Sequence, residues 1–467
     1  MMRQKRQAAL RLLLVLALLA ASASCLGGSS GRRVLVVMTP WTAEAEKNSF
    51  QAVLTAFEAK TGITVRAAPT RALDQVLRTA VQKREEPDLA VMANPGALRS
   101  YAQQGYLVRL DRFQDKEVGN GLVDLLRSDY GPPWSRAGEA VNGVPYAVMV
   151  KASVKSLIWY APQQLGARPP DNWAGLVGVG ESIVQRGGTP WCLALADPPN
   201  SGWPGTDWIE DILLHRSGAD TYTDWVDGKL RWSSSEVAEA WQAWGRIVTA
   251  PGAIHGGPLT ALLTGYGEGA YPLFTAQPGC YLTHGAPVTP DPAAPTGPVL
   301  GRDYDFVPFP EFQPTTSATT ATATATATPA PTPTPAYEVS GDLVAMFRDS
   351  PEAEKFMAFL ASPQAQEIWP SRQPASAFSA NRAVTTRLAS GHAADSVARR
   401  IGELLTSSAT LCFDASDSMP STMAAAFNHA VVDYLNDPTR LPTILAELDK
   451  VRADAYPQPT QSSVCGF

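Results

Sequence analysis

The chain has 467 residues, too many for one compact core, so two packed lobes are the expectation. A formal charge of −6, with no Lys/Arg cluster after the N-terminus, excludes the basic field that DNA, RNA or an anionic membrane surface requires. Charged residues make up only 18% of the chain against 12 tryptophans, a balance that fits a rigid extracytoplasmic globule and not a disordered or coiled-coil protein.

Arg3, Lys5 and Arg6 precede an apolar run at 8–21, broken only by Arg11, and small residues then lead to Cys25. This is the order of a secretory signal, with a run too short to span a bilayer. The sequence is therefore read as a signal peptide at 1–24 and a Gly/Ser-rich tether at 25–32, with Cys25 lipidated and the protein held at the outer face of the cytoplasmic membrane by that lipid alone. Ser22 stands where lipoprotein signals usually carry Leu, and Ala21-Ser22-Ala23 also reads as an ordinary cleavage site. A freely secreted or periplasmic form is the alternative. Export implies an oxidising compartment. The remaining cysteines, Cys192, Cys280, Cys412 and Cys465, allow three pairings.

Residues 33–38 (RVLVVM) read as a buried strand. A helix follows at 45–60, where Phe50, Val53, Leu54 and Phe57 recur at helical spacing and Gly62 supplies the stop. Residues 63–67 read as the next strand, 73–84 as a helix with Leu73, Val76, Leu77, Ala80 and Val81 on one face, and 88–92 as a third strand. Asn94-Pro95-Gly96 then breaks the chain before a helix that ends at Gly105. This alternation is the signature of a parallel sheet covered by helices, whose ligands bind beyond the carboxyl ends of the strands. The turns at 39–44 and 94–96 are thus the first candidates. Two β-rich runs at 143–160 read as a crossing into a second lobe, and 161–285 is rich in helix and Trp. Helical periodicity returns at 351–369 and 420–448, so later segments complete each lobe. The boundaries expected are a first lobe at 33–150 and 337–400 and a second at 151–300 and 401–460. Residues 314–336 consist only of Thr, Ala, Pro and Ser, with no large apolar side chain to bury, and read as a disordered surface insertion.

Catalytic signatures are missing from the sequence: it has no Gly-x-Ser-x-Gly elbow, P-loop, His-Glu-x-x-His or closely spaced Cys/His set. No cofactor and no metal are expected. Glu210/Asp211 and Asp414/Asp417 are the carboxylate pairs a glycosidase would need, but sequence spacing does not set them at the separation that chemistry demands. Aromatic rings beside carboxylates make a different site, since a sugar stacks its apolar face on Trp or Tyr and offers hydroxyls to Asp, Glu and Asn. Trp41 with Glu44, Trp203 with Asp207, Trp208 and Asp211, and Asp414 with Asp417 sit at loop-to-helix junctions of this kind. Trp159, Trp191, Trp225, Trp232, Trp241, Trp244 and Trp369, on strands or helical faces, read as core.

The runs at 201–211 (SGWPGTDWIED), 272–284 (PLFTAQPGCYLTH), 341–347 (GDLVAMF) and 413–420 (FDASDSMP) resemble those of bacterial extracellular solute-binding proteins of family 1, and within it the α-glucoside branch. The order of landmarks is kept from about Val34 to the C-terminal helix, and the Thr/Ala/Pro segment departs from it. The resemblance implies an α/β, two-lobed, periplasmic-binding-protein-like (type II) fold that closes on its ligand about a multi-segment hinge. It also implies a monomeric, non-enzymatic subunit of an ABC importer that hands a sugar, an α-glucoside or small oligosaccharide, to membrane permease subunits. By matching segment it places Trp41, Glu44, Asn94, Trp203, Thr206, Asp207, Trp208, Asp342, Asp414, Asp417 and Met419 at the ligand, with Asp211 added from the aromatic-carboxylate pattern. Cys192 and Cys280 fall where relatives carry cysteines, which leads to Cys192–Cys280 and Cys412–Cys465 as the expected pairs. A sugar sensor or adhesin on the same scaffold, or a secreted glycosidase, are the competing readings.

Overall fold

The strand expected at 33–38 forms as β1 (Leu35–Thr39), whose residues alternate between buried and half-buried positions. The computed structural model describes residues 34–275, 277–287, 302–312, 335–372, 377–391, 396–457 and 464–466. The signal, the tether with Cys25, and the Thr/Ala/Pro segment up to residue 334 lie outside the described residues. After β1 comes the helix Glu44–Thr61, which buries Phe50, Val53, Leu54 and Phe57 and carries Glu44 and Glu46 in its first turn and Lys60 in its last, the charge order that the helix dipole favours. Gly62 ends it in the left-handed region at φ 68°, where a side chain would be strained, and its N–H returns to Glu58 O at 2.7 Å.

β1 pairs in parallel with β2 (Val65–Pro69) and β3 (Leu89–Met92), in register at Leu35 with Val65 and Val37 with Leu89. The helices Leu73–Lys83 and Pro95–Gln103 complete the expected alternation. The β-rich run then divides. β4 (Ala147–Val154) joins the first sheet and β5 (Leu157–Tyr160) becomes the centre of a second one, flanked by antiparallel β6 (Leu282–His284) and β7 (Asp305–Pro308). Only Lys155 and Ser156 lie between the two strands, so these residues make the crossing.

The chain returns through β8 (Ala336–Met346), the longest strand described. One half of β8 lies antiparallel to β3 and the other half parallel to β9 (Thr410–Phe413), while β4 runs along its opposite edge. Ala336, expected as the last residue of the insertion, is the first residue of this strand and pairs with Thr410, because its backbone completes the ladder beside β9. β10 (Cys465–Gly466) closes the edge beyond β9. Disulfides join Cys192 to Cys280 and Cys412 to Cys465.

Two cores result. The first gathers the sheet residues Leu35, Val37, Leu89 and Val344 with Phe57, Phe356 and Trp369, and it also takes in the helix Val397–Thr406, which lays Val397, Ile401 and Leu405 against it, and Leu411 and Phe413 of β9. The second is aromatic: Trp225, Trp232 and Trp241 meet Phe427 at ring distances of 5.5, 4.8 and 5.8 Å. It is built on the helices Trp203–Val226, Ser235–Val248 and Ser421–Asn436. All seven tryptophans read as core are at most 3% exposed. Among the described residues no helix is long and apolar enough to cross a membrane.

Candidate ligand site

At the carboxyl end of β1 the chain turns through Pro40 and Trp41. The Trp41 indole is not open to solvent, being 2% exposed and in edge contact with Phe50 and Trp369 at 4.8 and 4.7 Å. Its Nε1–H donates to Asp342 Oδ2 on β8 at 2.9 Å. On the neighbouring strand the Lys151 ammonium donates to Glu46 Oε1 at 2.8 Å, stands 3.7 Å from Asp342 Oδ2, and lies 5.5 Å above the Trp369 ring. Burial disfavours the charge on Lys151, yet Asp342 and Glu46 more than offset it and hold the lysine above its usual range. Burial raises Asp342 in spite of Lys151 and the indole N–H. Trp41, Glu46, Lys151, Asp342 and Trp369 therefore form one wall, half charged and half aromatic.

The facing wall belongs to the second lobe. Trp203 opens its helix, half buried, with its ring 4.2 Å from Tyr266 and its Nε1–H donated to Asp197 Oδ2 at 2.9 Å. The Tyr266 hydroxyl lies within electrostatic reach of Lys155, Lys151 and Glu46, so the two walls address each other. Arg71, in the turn after β2, spans the lobes to Asp197 with contacts of 2.5 and 2.6 Å.

Between the walls sits the crossing. The Lys155 ammonium is buried, donates to Asp207 Oδ1 at 2.8 Å and to Asp414, and lies 5.0 Å from the Trp203 ring. Asp414 caps the turn Ala415–Ser418 by accepting from the Asp417 N–H at 2.8 Å and from Ser416 Oγ at 2.9 Å. Burial would raise Asp414, but Lys155 and these donors outweigh it and hold the carboxyl low. Asp207 behaves oppositely, pushed up to about 7 by burial with Lys155 only partly compensating. Asp417, facing Asp414 and Asp342, is driven well above the carboxylate range, first by burial and then by Asp414. Asp207, Glu210 and Asp414 hold oxygens within 4.8 Å of one another, an arrangement suited to a cation, and the cation seated against Asp207 and Asp414 is the Lys155 ammonium.

The structure thus brings Trp41, Asp342, Trp203, Thr206, Asp207, Asp414 and Asp417 to one seam. Others stand apart from it. Glu44 is exposed on the first turn of its helix and pairs with Lys47. Asn94 accepts from the Ala97 N–H at 2.6 Å as a helix cap. The loop it begins packs on the segment before the last helices, where a Cβ on Gly96 would come within 1.9 Å of Met419 O, so only glycine fits. Met419 and Trp208 are core residues. Asp211 is fully buried behind the seam, 2.7 Å from His284 Nε2 and hydrogen-bonded by Ser156 Oγ, so its oxygens serve the interior and not the seam. The sequence reading did not list Glu46, Arg71, Lys151, Lys155, Asp197 or Tyr266. The two lysines were detectable: a lysine inside an apolar strand run must find carboxylates when the run is buried.

The family model described as bacterial extracellular solute-binding protein matches residues 42–367. The chain is 29% identical to the osmoprotective compounds-binding protein GgtB of Synechocystis sp. over 420 residues, covering 88% of this chain and 92% of the relative. It is 28% identical to the alpha-glucosides-binding periplasmic protein AglE of Rhizobium meliloti over 413 residues, covering 86% and 83%. Among solved structures, maltose-bound MalE3 of T. maritima superposes with a TM-score of 0.65 at 17% identity, covering 90% of this chain and 100% of that one. The solute receptor AcbH, whose description gives a preference for β-D-galactopyranose, reaches 0.69 at 14% identity, covering 91% and 98%. The fold is the α/β periplasmic solute-binding fold.

Proposed function

The chain belongs to the bacterial extracellular solute-binding protein family, and from that premise we propose that it is the carbohydrate-capturing subunit of an ABC importer, with an α-glucoside or small oligosaccharide bound between its lobes. The observation that carries the reading is the pairing of the Trp203–Tyr266 aromatic face with the charged wall of Lys151, Glu46 and Asp342. A sugar ring needs both, an apolar surface to stack on and buried donors and acceptors for its hydroxyls. Trp41 holds Asp342 in place in this reading, and Asp417 supplies a further hydrogen-bonding group. The names of two relatives, one binding alpha-glucosides and one osmoprotective compounds, support a small neutral saccharide or glycoside. The family's role is solute binding, so nothing chemical happens to the ligand.

The test is a thermal-shift and calorimetry screen over maltose-, trehalose- and sucrose-type sugars, because a ligand that binds only the native state raises the melting temperature. Binding by one of them, weakened by about 1 to 3 kcal/mol in Trp203→Ala, is the expected result. Binding of an amino acid or phosphate and of no sugar overturns it. Tethering through a lipidated Cys25 belongs to the same proposal, and an intact mass that begins at Ser24 without lipid would remove it.

A further inference from the structure

The seam leaves one group of buried ionisable side chains unused. Glu338, on the half of β8 that runs beside β9, is fully buried, and neither of its carboxylate oxygens has a hydrogen-bond partner. Its backbone N–H donates to Ser156 Oγ at 2.6 Å, and its carbonyl accepts from the Lys155 N–H at 2.8 Å, so the residue is fixed to the crossing. Asp207, Glu210, Asp211 and Tyr222 face it from the helix Trp203–Val226, Asp414 from the end of β9, and Lys155 from the crossing itself. Beyond Asp211 lie His284 and His215, whose outer nitrogens are likewise unpartnered. Glu210 is fully buried too, and accepts from the backbone N–H groups of Ala415 and Ser416 at 2.7 and 3.3 Å.

Charge does not balance here if every carboxyl is ionised. Asp207, Glu210, Asp211, Asp414 and Glu338 would set five negative charges around the single ammonium of Lys155. An ionised carboxylate buried without a partner is far more costly than a neutral acid, and two carboxyls in contact do not both ionise. We propose that the hinge is a proton-binding site in which Glu338 and the Glu210–Asp414 pair each keep a proton at neutral pH, leaving Asp414 and Lys155 as the fully charged members. The electrostatics agree: burial first, then neighbouring carboxylates, drive Glu338 and Glu210 well above the carboxylate range. These protons lie where both lobes connect, since Lys155 and Ser156 join β4 to β5 and Asp414 follows β9. A rise in pH therefore charges the hinge itself.

The sign follows from linkage. The native state holds protons that the unfolded state has released above the ordinary carboxyl range, so stability falls as pH rises toward the folded-state values. Glu338→Gln, the shape of the protonated acid, does not carry that penalty. Above the ordinary carboxyl range the folding constant of the wild type should fall with rising pH relative to Glu338→Gln, by at most about tenfold per pH unit, one proton's worth, with Glu210→Gln relieving a second such slope. Urea titrations at stepped pH measure this without any sugar, so the result is separate from the ligand assignment. Infrared spectra of the wild type alone should show the C=O stretch of a buried protonated carboxyl at pH 7, and Glu338→Gln should lose part of it. No such band in the wild type, or a pH profile unchanged in Glu338→Gln, overturns the proposal. So does calcium that raises the melting temperature of the wild type and not of Glu210→Gln, which would make the cluster a metal site.

Discussion

The indole N–H of Trp41 donates to Asp342 at 2.9 Å across 301 residues of sequence, tying the loop after β1 to the strand on which the chain returns. Trp41→Phe keeps most of the ring packing against Phe50 and Trp369 but removes the donor, leaving a buried carboxylate oxygen to Lys151 alone. The expected cost is about 1 to 3 kcal/mol in urea denaturation, the range for leaving a buried polar group unsatisfied. Asp342→Asn in the same background should recover part of it, since a neutral amide needs less compensation.

Arg71 and Asp197 make a different kind of contact, exposed and between lobes. Surface pairs of this sort contribute about 0 to 1 kcal/mol and are screened by salt. Arg71→Ala should therefore leave the unfolding midpoint nearly unchanged while weakening sugar affinity by up to about fivefold at low salt and less at high salt. Because Asp197 also accepts the Trp203 N–H, a change in tryptophan emission should accompany the loss. Calorimetry of the variant at two salt concentrations checks the affinity, and an affinity loss insensitive to salt would refute the electrostatic account.

Much of this scaffold was legible because its signals are local. Phe50, Val53, Leu54 and Phe57 recur at helical spacing and Gly62 ends the run, and both ends of the helix fall within a residue or two of the expected positions. The crossing was legible as a region and not as a point, since β4 and β5 are both apolar and only the pairing partners, β8 and β6 with β7, separate them. Side-chain roles at the seam depend on partners distant in sequence. Trp41 read as a stacking ring at a loop-to-helix junction, and Phe50 and Trp369 pack it to 2% exposure while Asp342 takes its N–H. Asp211 read as a ligand acceptor, and His284 and Ser156 occupy it from other segments. Lys151 and Lys155 carry no such loop signal, because both stand in or beside a strand and acquire their roles only from Glu46, Asp342, Asp207 and Asp414.

The two disulfides should differ in reactivity. Cys192–Cys280 lies in a small buried cluster with Ala161 and Leu273, while Cys465 is half buried on a two-residue edge strand. Mild reductant should open Cys412–Cys465 first, and Cys192–Cys280 only on unfolding. Chain entropy sets upper figures of about 4 to 5 kcal/mol for the two loops, so reduction of the first alone should lower the melting temperature without unfolding the protein. Timed alkylation with peptide mapping distinguishes this order from its reverse.

Lys155 gives the sharpest test of how the crossing is held. Its ammonium is the cation against Asp207 and Asp414, with side-chain exposures of 7%, 4% and 1%. Lys155→Met fills similar volume but leaves two buried carboxylates uncompensated. Breaking a buried pair from one side costs about 3 to 5 kcal/mol, enough to threaten folding at neutral pH. The deficit should shrink as pH falls, because without the ammonium both carboxyls are raised and the native state takes up protons that neutralise them. Adding Asp207→Asn and Asp414→Asn to Lys155→Met removes the charges at their source. That triple variant should regain most of the lost stability and lose the acid-side recovery, since replacing a buried ionic group by neutral residues of similar volume is often neutral or stabilising. Urea titrations of the single and triple variants at acid and neutral pH decide it. A Lys155→Met protein as stable as the wild type at neutral pH would mean that the two carboxyls are already protonated and that the ammonium is not what holds the crossing together.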